Sequence, residues 1–263
     1  MNPDRPTIHV HLLPTLIPPG ALSGAVAVVT DVLRATTVMI HALAAGCTAV
    51  IPCAEIDEAR RVAAGLPAGS ALLGGERQGL PIEGFDLGNS PGAYTPEACL
   101  GKTLVMTTTN GTRAILASQE ADRILVGAFV NFEATLRAVD GESRPIHIIC
   151  AGTEGRISLE DTAFAGAFVA FLRQARSVHA PDTALAMDDE ALLAEAGWAE
   201  ASSVIERHPT FDEGLAAVLA AGRGGRRVLE LGLRADLIAA ARFGHLDLAA
   251  ELQREPLRIT RTV

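Results

Sequence analysis

Residues 25–45 read AVAVVTDVLRATTVMIHALAA. The stretch opens with an apolar, β-branched run, Ala25 to Thr30, which is typical of a buried strand. From Val32 to Ala45 the apolar residues follow a helical period instead. A strand joined to a helix by a short polar turn is the repeating unit of α/β proteins, so this stretch predicts an α/β fold.

The same unit recurs along the chain, which makes the prediction general. Short β-branched runs are followed by a polar or glycine-bearing turn and then by an alanine-rich helical pattern. The further pairs are Ala49 to Cys53 with Ile56 to Ala64, Leu104 to Thr108 with Arg113 to Ser118, Ile124 to Val130 with Phe132 to Val139, and Ile146 to Cys150 with Asp161 to Gln174. We therefore predict a layered α/β/α fold with a mixed, largely parallel sheet, in one catalytic domain of residues 1–263 whose division into two lobes stays open.

The carboxyl-terminal third has a different pattern and is predicted to be helical. Asp188 to His208 and Phe211 to Ala221 have helical spacing, and Val228 to Arg242 is either one helical stretch or a pair. Pro256 precedes Leu-Arg-Ile-Thr, which predicts a final edge strand because proline is tolerated at a strand's start or edge. The longest irregular stretch lies between Gly74 and Pro96, and long loops of mixed polarity favour a functional role.

Composition excludes several functional classes. The 263 residues are 49% apolar and 20% charged, which predicts a folded globular chain. A net charge of −9, with one Trp and one Tyr, argues against a nucleic-acid or acidic-lipid partner. The amino terminus has no secretion-signal pattern, the apolar runs are too short for a membrane span, and the four cysteines form no C-x-x-C pair. We expect a cytoplasmic protein without membrane contact. We also expect a homo-oligomer, but only because acidic, alanine-rich α/β proteins of this size are often dimers.

Two turns that follow predicted strands carry polar residues suited to an anion. In an open α/β sheet the ligand lies beyond the carboxyl ends of the strands. VTDVLRATT, residues 29–37, has Asp31 at the strand end and Arg34 and Thr36 in the first helical turn. TTTNGTRA, residues 107–114, offers hydroxyls, backbone N–H groups and a helix start to a phosphate. The alternative is that each turn is only a capped helix start.

Acidic residues follow at a third turn and in the long loop. CAGTEGRISLEDTAFAG, residues 150–166, has the adjacent acids Glu160 and Asp161, of which helix capping explains only Asp161. GERQGLPIEGFDLGNSP, residues 75–91, adds acids, arginine and hydroxyls. Such a mixture suits Mg²⁺ with a phosphorylated ligand, because Mg²⁺ takes oxygen ligands and shares them with substrate phosphate.

These blocks resemble a known family, the magnesium-dependent 2-phosphosulfolactate phosphatases of coenzyme M biosynthesis. The resemblance rests on DVLRATT, on GER followed by GFDLGNSP, on TTNGTRA, and on CAGTEG with SLED, in the family's order, and LELGLRADL at 229–237 is similar to its carboxyl-terminal part. It implies an α/β fold, Mg²⁺, and hydrolysis of a phosphomonoester of a short sulfonated hydroxy acid. The implied site positions are Asp31, Arg34, Glu76, Arg77, Asn89, Ser90, Thr109, Asn110, Gly111, Thr112, Glu160 and Asp161.

We assign roles to these positions from their chemistry. The predicted catalytic residues are Asp31, Arg34, Glu76, Arg77 and Asn110. The predicted substrate-binding residues are Thr36, Asn89, Ser90, Thr109, Gly111, Thr112 and Arg113. The predicted metal ligands are Asp31, Glu76, Glu160 and Asp161. We expect arginine and the Asn110 to Thr112 turn to stabilise transition-state charge, with Arg34, Arg77 and Arg113 contacting the three anionic groups of a phosphosulfolactate.

The attacking group is either water or Asp31. Water is favoured, because carboxylate attack in the haloacid-dehalogenase manner uses a second Asp two positions on, and Leu33 occupies that position.

Three alternatives remain open at this point. Cys150 and Arg156 have the C-x5-R spacing of cysteine phosphatases, although Glu154 between them opposes a thiolate and a bound phosphate, and a cysteine that ends a buried strand is the simpler interpretation. A second alternative is a phosphatase for another phosphorylated hydroxy acid or sugar acid. The third is a non-catalytic module that binds a small anion, which would not need the acidic cluster.

Overall fold

Strands and helices alternate along most of the chain, as the sequence predicts. The computed structural model describes residues 6–179 and 185–262. The strands are β1 (Thr7–His11), β2 (Val26–Thr30), β3 (Ala49–Cys53), β4 (Ala71–Arg77), β5 (Leu80–Pro81), β6 (Thr103–Thr107), β7 (Arg123–Gly127), β8 (Ile146–Cys150), β9 (Ala186–Met187), β10 (Ala249–Arg254) and β11 (Leu257–Thr262). The helices are α1 (Ala35–Ala44), α2 (Ile56–Ala64), α3 (Pro96–Cys99), α4 (Gly111–Ala117), α5 (Phe132–Val139), α6 (Leu159–His179), α7 (Asp189–Ile205), α8 (Phe211–Ala221), α9 (Arg223–Glu230) and α10 (Arg234–Ala240).

The described strands form one 11-stranded sheet with the order β5-β4-β6-β3-β11-β10-β7-β2-β8-β1-β9. β4, β6 and β3 are parallel to one another, and so are β7, β2, β8, β1 and β9. β10 and β11 lie between these two parallel groups and pair antiparallel with both. The sheet is therefore mixed and mostly parallel, and the predicted α/β fold is confirmed.

β2 lies near the centre of the second parallel group and is buried on both faces. Val26 and Val28 pack in the core that contains Phe164 of α6. Ala27 and Val29 pack in a second core on the other face, with residues of α1. The alternation of a strand's side chains places these residues in two separate helical layers, which explains why the run Ala25 to Thr30 is apolar throughout.

The carboxyl-terminal helices form as the sequence predicts, on the face of the sheet that α6 covers. α7 begins after Asp188, whose carboxylate accepts a hydrogen bond of 2.8 Å from the amide of Ala191 and so caps the helix. Val228 to Arg242 is a pair of helices, α9 and α10, and α9 begins earlier, at Arg223. Within residues 6–179 and 185–262, none of the helices combines the length and the apolar composition needed to span a bilayer.

The prediction of a carboxyl-terminal edge strand was wrong, because β11 lies inside the sheet. β11 pairs along its length with β10, and Ile259 pairs with Val50 of β3. Pro256 lies in the turn between β10 and β11, where no ladder hydrogen bond is required of it. β10, with the sequence AAELQR, carries too few β-branched residues to be recognised as a strand.

The stretch from Gly74 to Pro96 is less irregular than the sequence suggests. It begins within β4, which pairs parallel with β6, and continues into a short antiparallel pairing of β4 with β5. The remainder holds a single turn of 3-10 helix at Pro91–Ala93 before α3. The GER block, residues 75–77, therefore lies on a strand rather than in a loop.

The interior position of β11 predicts unequal effects of two substitutions on the same strand. Ile259→Ala removes a fully buried side chain, so we expect it to lower the free energy of unfolding by about 2 to 5 kcal/mol. The exposed neighbour Arg258→Ala serves as the control, with an expected change within about 0.5 kcal/mol. Denaturant unfolding measures both values, and equal effects would contradict the assignment of β11 to the sheet interior.

Candidate active site

A cavity of about 240 Å³ opens at the carboxyl ends of the parallel strands. Asp31 follows β2, Glu76 lies near the end of β4, and Asn110 follows β6. The opposite wall is formed by α9. The lining residues are Asp31, Leu33, Arg34, Glu76, Gln78, Gly79, Asn89, Thr109, Asn110, Thr153, Glu154, Arg223, Gly224, Arg226, Arg227, Val228, Glu230 and Leu231. The site therefore lies at the end of the sheet where α/β folds bind ligands.

Asp31 is held in place by its own turn and by the neighbouring one. The hydroxyl of Thr36 accepts a hydrogen bond of 3.0 Å from the Asp31 amide and donates one of 2.9 Å to the Asp31 carbonyl oxygen. Asp31 Oδ1 accepts a hydrogen bond from the amide of Ala35 at 3.3 Å. A Cβ atom on Gly111 would lie 2.7 Å from Asp31 Oδ2, so only glycine fits there. Thr36 and Gly111 thus shape the turn around Asp31 and do not line the cavity.

Asp31, which lines the cavity, meets two further buried carboxylates, Glu160 and Asp161, which do not line it. Asp161 Oδ1 accepts from the amide of Val32 at 2.8 Å, and Asp161 Oδ2 accepts from the amide of Gly152 at 2.9 Å, which joins the ends of β2 and β8. Burial and the charge of Asp161 raise the pKa of Asp31 well above its usual value. Burial raises the pKa of Asp161 to about 6 and, with the charge of Asp161, that of Glu160 to about 7. The cluster therefore favours neutral carboxyl groups or a nearby cation.

Glu160 lies against the first turn of α9. Its side chain is buried, and its Oε2 atom has no hydrogen-bond partner within the described residues. Cβ atoms on Gly222 and Gly224 would lie 2.7 Å and 1.9 Å from its carboxylate oxygens. The glycines of α9 therefore allow the helix to approach Glu160 closely.

Glu76 connects the turns after β4 and β6. Its Oε2 atom accepts a hydrogen bond of 2.6 Å from the amide of Gly79, and its Oε1 atom accepts one of 2.7 Å from the amide of Thr109. Gly75, with a φ of 141°, lies so close to β6 that a Cβ atom would be 2.0 Å from the Thr107 carbonyl oxygen. The glycine of the GER block thus brings Glu76 to the cavity.

Asn110 connects the turn after β6 to the turn after β8. Its Oδ1 atom accepts a hydrogen bond of 3.2 Å from the amide of Glu154. The amide nitrogen of the Asn110 side chain is therefore the group that remains to donate to a ligand in the cavity.

Arg34 is fixed by a buried ion pair. Its Nη1 atom lies 2.7 Å from Asp236 Oδ2, and both side chains are about 5% exposed. The hydroxyl of Ser90 donates to the same carboxylate oxygen at 2.9 Å, and Arg34 Nη2 donates to the carbonyl oxygen of Gly79 at 2.8 Å. Asp236 was not among the predicted site residues, although an acid between the apolar residues of LELGLRADL is a signal of buried pairing. Ser90, predicted to bind substrate, supports this pair instead of lining the cavity.

Of the three arginines predicted to contact the substrate, Arg34 is the one that lines the cavity within the described residues. Arg77 donates to the hydroxyl of Thr107 at 2.9 Å and to the carbonyl oxygen of Ala54. Arg113 is exposed and forms an ion pair of 2.8 Å with Glu55. Neither side chain lines the cavity, because these contacts hold both of them elsewhere, which residue spacing within one motif does not show.

Thr112 is also turned inward, away from the cavity. Its hydroxyl donates to the Thr108 carbonyl oxygen at 3.1 Å, and its amide donates to the Thr108 hydroxyl. These contacts are those of a capped turn, the alternative interpretation of residues 107–114. The other predicted positions in this turn, Thr109 and Asn110, do line the cavity.

Three arginines of α9 that were not among the predicted site residues line the cavity. They are Arg223, Arg226 and Arg227, in the sequence RGGRR. Arg227 donates to the carbonyl oxygen of Gln78 at 3.5 Å across the cavity mouth. The available signal was the concentration of arginine and glycine at one helix start in an acidic protein.

The site offers oxygen donors of the kind that Mg²⁺ prefers, but these donors do not form a complete set of metal ligands. The unpartnered Glu160 Oε2 and the crowded carboxylate oxygens are the hard donors that Mg²⁺ prefers. Both oxygens of Asp161 and of Glu76 already accept backbone hydrogen bonds, and no three His, Cys, Asp or Glu side chains in the described residues are arranged to hold a metal ion. The predicted set of four carboxylate ligands is therefore not assembled. Mg²⁺ often uses one or two carboxylates with waters and substrate phosphate, and Asp31 suits that mode.

Cys150 ends the buried strand β8, as predicted. Its side chain is fully buried, and burial together with the charges of Asp161 and Glu160 raises the pKa of its thiol. Arg156 is exposed. These properties are the reverse of those that a cysteine phosphatase requires of its nucleophile.

The raised pKa of Glu160 predicts a pH-dependent gain in stability for Glu160→Gln in excess EDTA. A carboxyl group with a folded-state pKa of about 7 is mostly neutral at pH 5 and charged at pH 8. The stability that it contributes is thus lost as the pH rises through about 7. We expect the variant to match the wild type near pH 4, below the ordinary glutamate pKa, and to exceed it by up to about 3 kcal/mol near pH 8. Unfolding measured from pH 4 to 8 tests this, with the exposed Glu200→Gln as control; a pH-independent difference would contradict the origin proposed for the shift.

The buried ion pair predicts a non-additive effect on stability. Asp236→Ala leaves the Arg34 guanidinium buried without a charged partner, so we expect a loss of about 3 to 5 kcal/mol. Adding Arg34→Met removes the unpaired charge, and the double variant should be more stable than Asp236→Ala alone. Denaturant unfolding of the wild type, Asp236→Ala, Arg34→Met and the double variant measures the coupling, and additive losses would show that the pair is not coupled. Asp57→Ala, in the exposed pair with Arg60, is the control, with an expected change within about 0.5 kcal/mol.

Comparison with known proteins assigns the chain to a family. A family model described as 2-phosphosulpholactate phosphatase matches residues 11–255. A protein of Symbiobacterium thermophilum named probable 2-phosphosulfolactate phosphatase is 38% identical over 233 residues, which cover 88% of this chain and 93% of that protein. A protein of Gloeobacter violaceus with the same name is 36% identical over 249 residues, 94% of each chain. With matches over nearly its whole length, this chain belongs to the 2-phosphosulfolactate phosphatase family.

Proposed function

We propose that this protein is a Mg²⁺-dependent phosphatase that hydrolyses 2-phospho-3-sulfolactate to 3-sulfolactate and phosphate. The observation that carries the proposal is the buried carboxylate of Asp31, which borders a small cavity together with the fixed guanidinium of Arg34. A cavity of about 240 Å³ suits a short acid better than a large ligand. Membership in the family supports this substrate among small phosphorylated acids.

Asp31 is the first candidate to hold Mg²⁺, and Glu160 is the second. When bound, the metal ion supplies charge that polarises the phosphoryl oxygens and offsets the negative charge that develops on them. The repulsion among Asp31, Glu160 and Asp161 supports the assignment, because a cation beside them would favour their charged forms.

Arg34 and Asn110 are proposed to act on the transferred phosphoryl group. Asp236 and the Gly79 carbonyl oxygen hold the Arg34 guanidinium, so it needs little reorganisation to meet developing charge. The Asn110 amide nitrogen, left free by the bond between Asn110 Oδ1 and the Glu154 amide, donates to the same group. Glu76 fixes the turn that presents Thr109 and Asn110.

Water is the proposed nucleophile. Its oxygen forms the new bond to phosphorus, the ester P–O bond breaks, and the sulfolactate oxygen leaves and takes a proton. Asp31 is buried and lines the cavity, so its carboxylate is placed to accept a proton from water. Leu33, rather than a second acid, lies in the cavity wall two residues after Asp31, which favours water over attack by Asp31.

Two other functions compete with this proposal. A different phosphorylated hydroxy acid would use the same phosphoryl site. A non-catalytic anion-binding module would use the arginines, but it would gain nothing from the repulsive carboxylate cluster. A cytoplasmic location is part of the proposal and is supported by the four free cysteine thiols at positions 47, 53, 99 and 150.

Phosphate release tests the proposed function. We expect release from 2-phosphosulfolactate that requires Mg²⁺ and stops in excess EDTA, at a higher rate than from other phosphorylated hydroxy acids. Asp31→Asn should lower kcat by about 1000-fold or more because it removes both a metal ligand and the base. The control Asp57→Asn makes the same change at an exposed position and should keep full activity.

The opposite outcomes separate the parts of the proposal. Release that survives EDTA contradicts the role of Mg²⁺, and a folded Asp31→Asn with normal turnover removes Asp31 from the mechanism. Preference for a different phosphorylated acid changes the substrate only. Binding of phosphate or sulfolactate without release from any ester favours the anion-binding module.

A further inference from the structure

We propose that the first turn of α9 is the subsite that binds the sulfonate of the substrate, with Arg223 as its main cationic contact and Arg226 as its second. The inference rests on the proposed function and deepens it, because it assigns substrate specificity to residues outside the motifs that follow the strands. It divides the cavity into a phosphoryl side, formed by residues after β2 and β6, and an acid-recognition side, formed by α9.

The first argument is the distribution of charge around the cavity. Arg34 is neutralised by Asp236, and Arg227 lies 3.6 Å from Glu230. Within the described residues, Arg223 and Arg226 form no ion pair with a carboxylate. Two arginines that form no ion pair therefore line one cavity of a chain with a net charge of −9, and they provide a site for an anion.

The second argument is that the backbone of α9 is built for this position. A Cβ atom on Gly224 would lie 1.9 Å from Glu160 Oε1, and one on Gly225 would lie 2.0 Å from the carbonyl oxygen of Leu219. Larger residues at either position would push the helix away from α6 and α8. The sequence RGGRR therefore keeps two close backbone contacts and presents arginines to the cavity from the same turn.

The third argument is chemical fit. A guanidinium donates two parallel hydrogen bonds to two oxygens of one acid group, and a sulfonate offers three oxygens with a single charge. Arg223 is exposed, and within the described residues its side chain makes no hydrogen bond, so it is available for such a contact. Arg226 donates to the carbonyl oxygen of Ala221 at the end of α8 and lines the same cavity as Arg223.

The experiment compares two esters that differ only in the sulfonate. kcat/KM is measured for 2-phosphosulfolactate and for 2-phospholactate, with Mg²⁺, in the wild type, Arg223→Gln, and Arg223→Gln/Arg226→Gln. We expect the variants to lose about 10- to 100-fold in kcat/KM for the sulfonated ester, the range of a lost charge-assisted hydrogen bond, and to keep 2-phospholactate turnover within about 3-fold. Arg207→Gln removes the same charge from an exposed arginine just after α7 that does not line the cavity and should change neither value.

An equal loss for both esters, or no loss for the sulfonated one, overturns the inference. If the wild type hydrolyses neither ester, the proposed function is overturned. The sulfonate subsite is then tested by a binding measurement. Calorimetry with 3-sulfolactate, lactate and inorganic phosphate then provides the readout. Sulfolactate binding that is lost in the double variant and kept in Arg207→Gln supports the subsite, whereas failure of the wild type to bind sulfolactate more tightly than lactate overturns it. Thermal melts of each variant verify folding.

Discussion

The buried ion pair between Arg34 and Asp236 is the interaction on which the site depends. Its two residues are separated by 202 positions, and the pair also holds Ser90 and the carbonyl oxygen of Gly79. A guanidinium at this depth is stable only with a charged and hydrogen-bonded partner. Through these contacts α10 holds the turn after β2 and the loop after β4 in position, which makes the carboxyl-terminal third part of the candidate site.

The carboxylates near the end of β2 make the opposite contribution. Asp31, Glu160 and Asp161 are buried close together, and their mutual repulsion destabilises the folded chain at neutral pH. Backbone amides offset part of this repulsion, those of Val32 and Gly152 at Asp161 and that of Ala35 at Asp31. Electrostatic repulsion between buried carboxylates is typical of sites that bind a ligand. Ligand binding therefore explains why the acidic cluster lies beside a cavity that arginines also line.

The two walls of the cavity are built by different means. On the sheet side, turns after parallel strands converge because the strands end at one edge, and Glu76 and Asn110 connect those turns. On the helix side, glycines let α9 pack against Glu160 and α8. The sheet side carries carboxylates and the helix side carries arginines. This arrangement suits a ligand with several acid groups, of which one reacts.

The sequence by itself determined the class of the fold and part of the site. Local sequence patterns predicted β2, β3, β6, β7 and β8, most of the helices, and the turns that carry Asp31 and Asn110. Only the tertiary structure decided three other features. β10 and β11 lie between two parallel groups of strands, Arg34 pairs with Asp236, and Arg77 and Arg113 do not line the cavity. Strand order and buried pairing depend on contacts between distant segments, and neither residue period nor motif spacing carries information about such contacts.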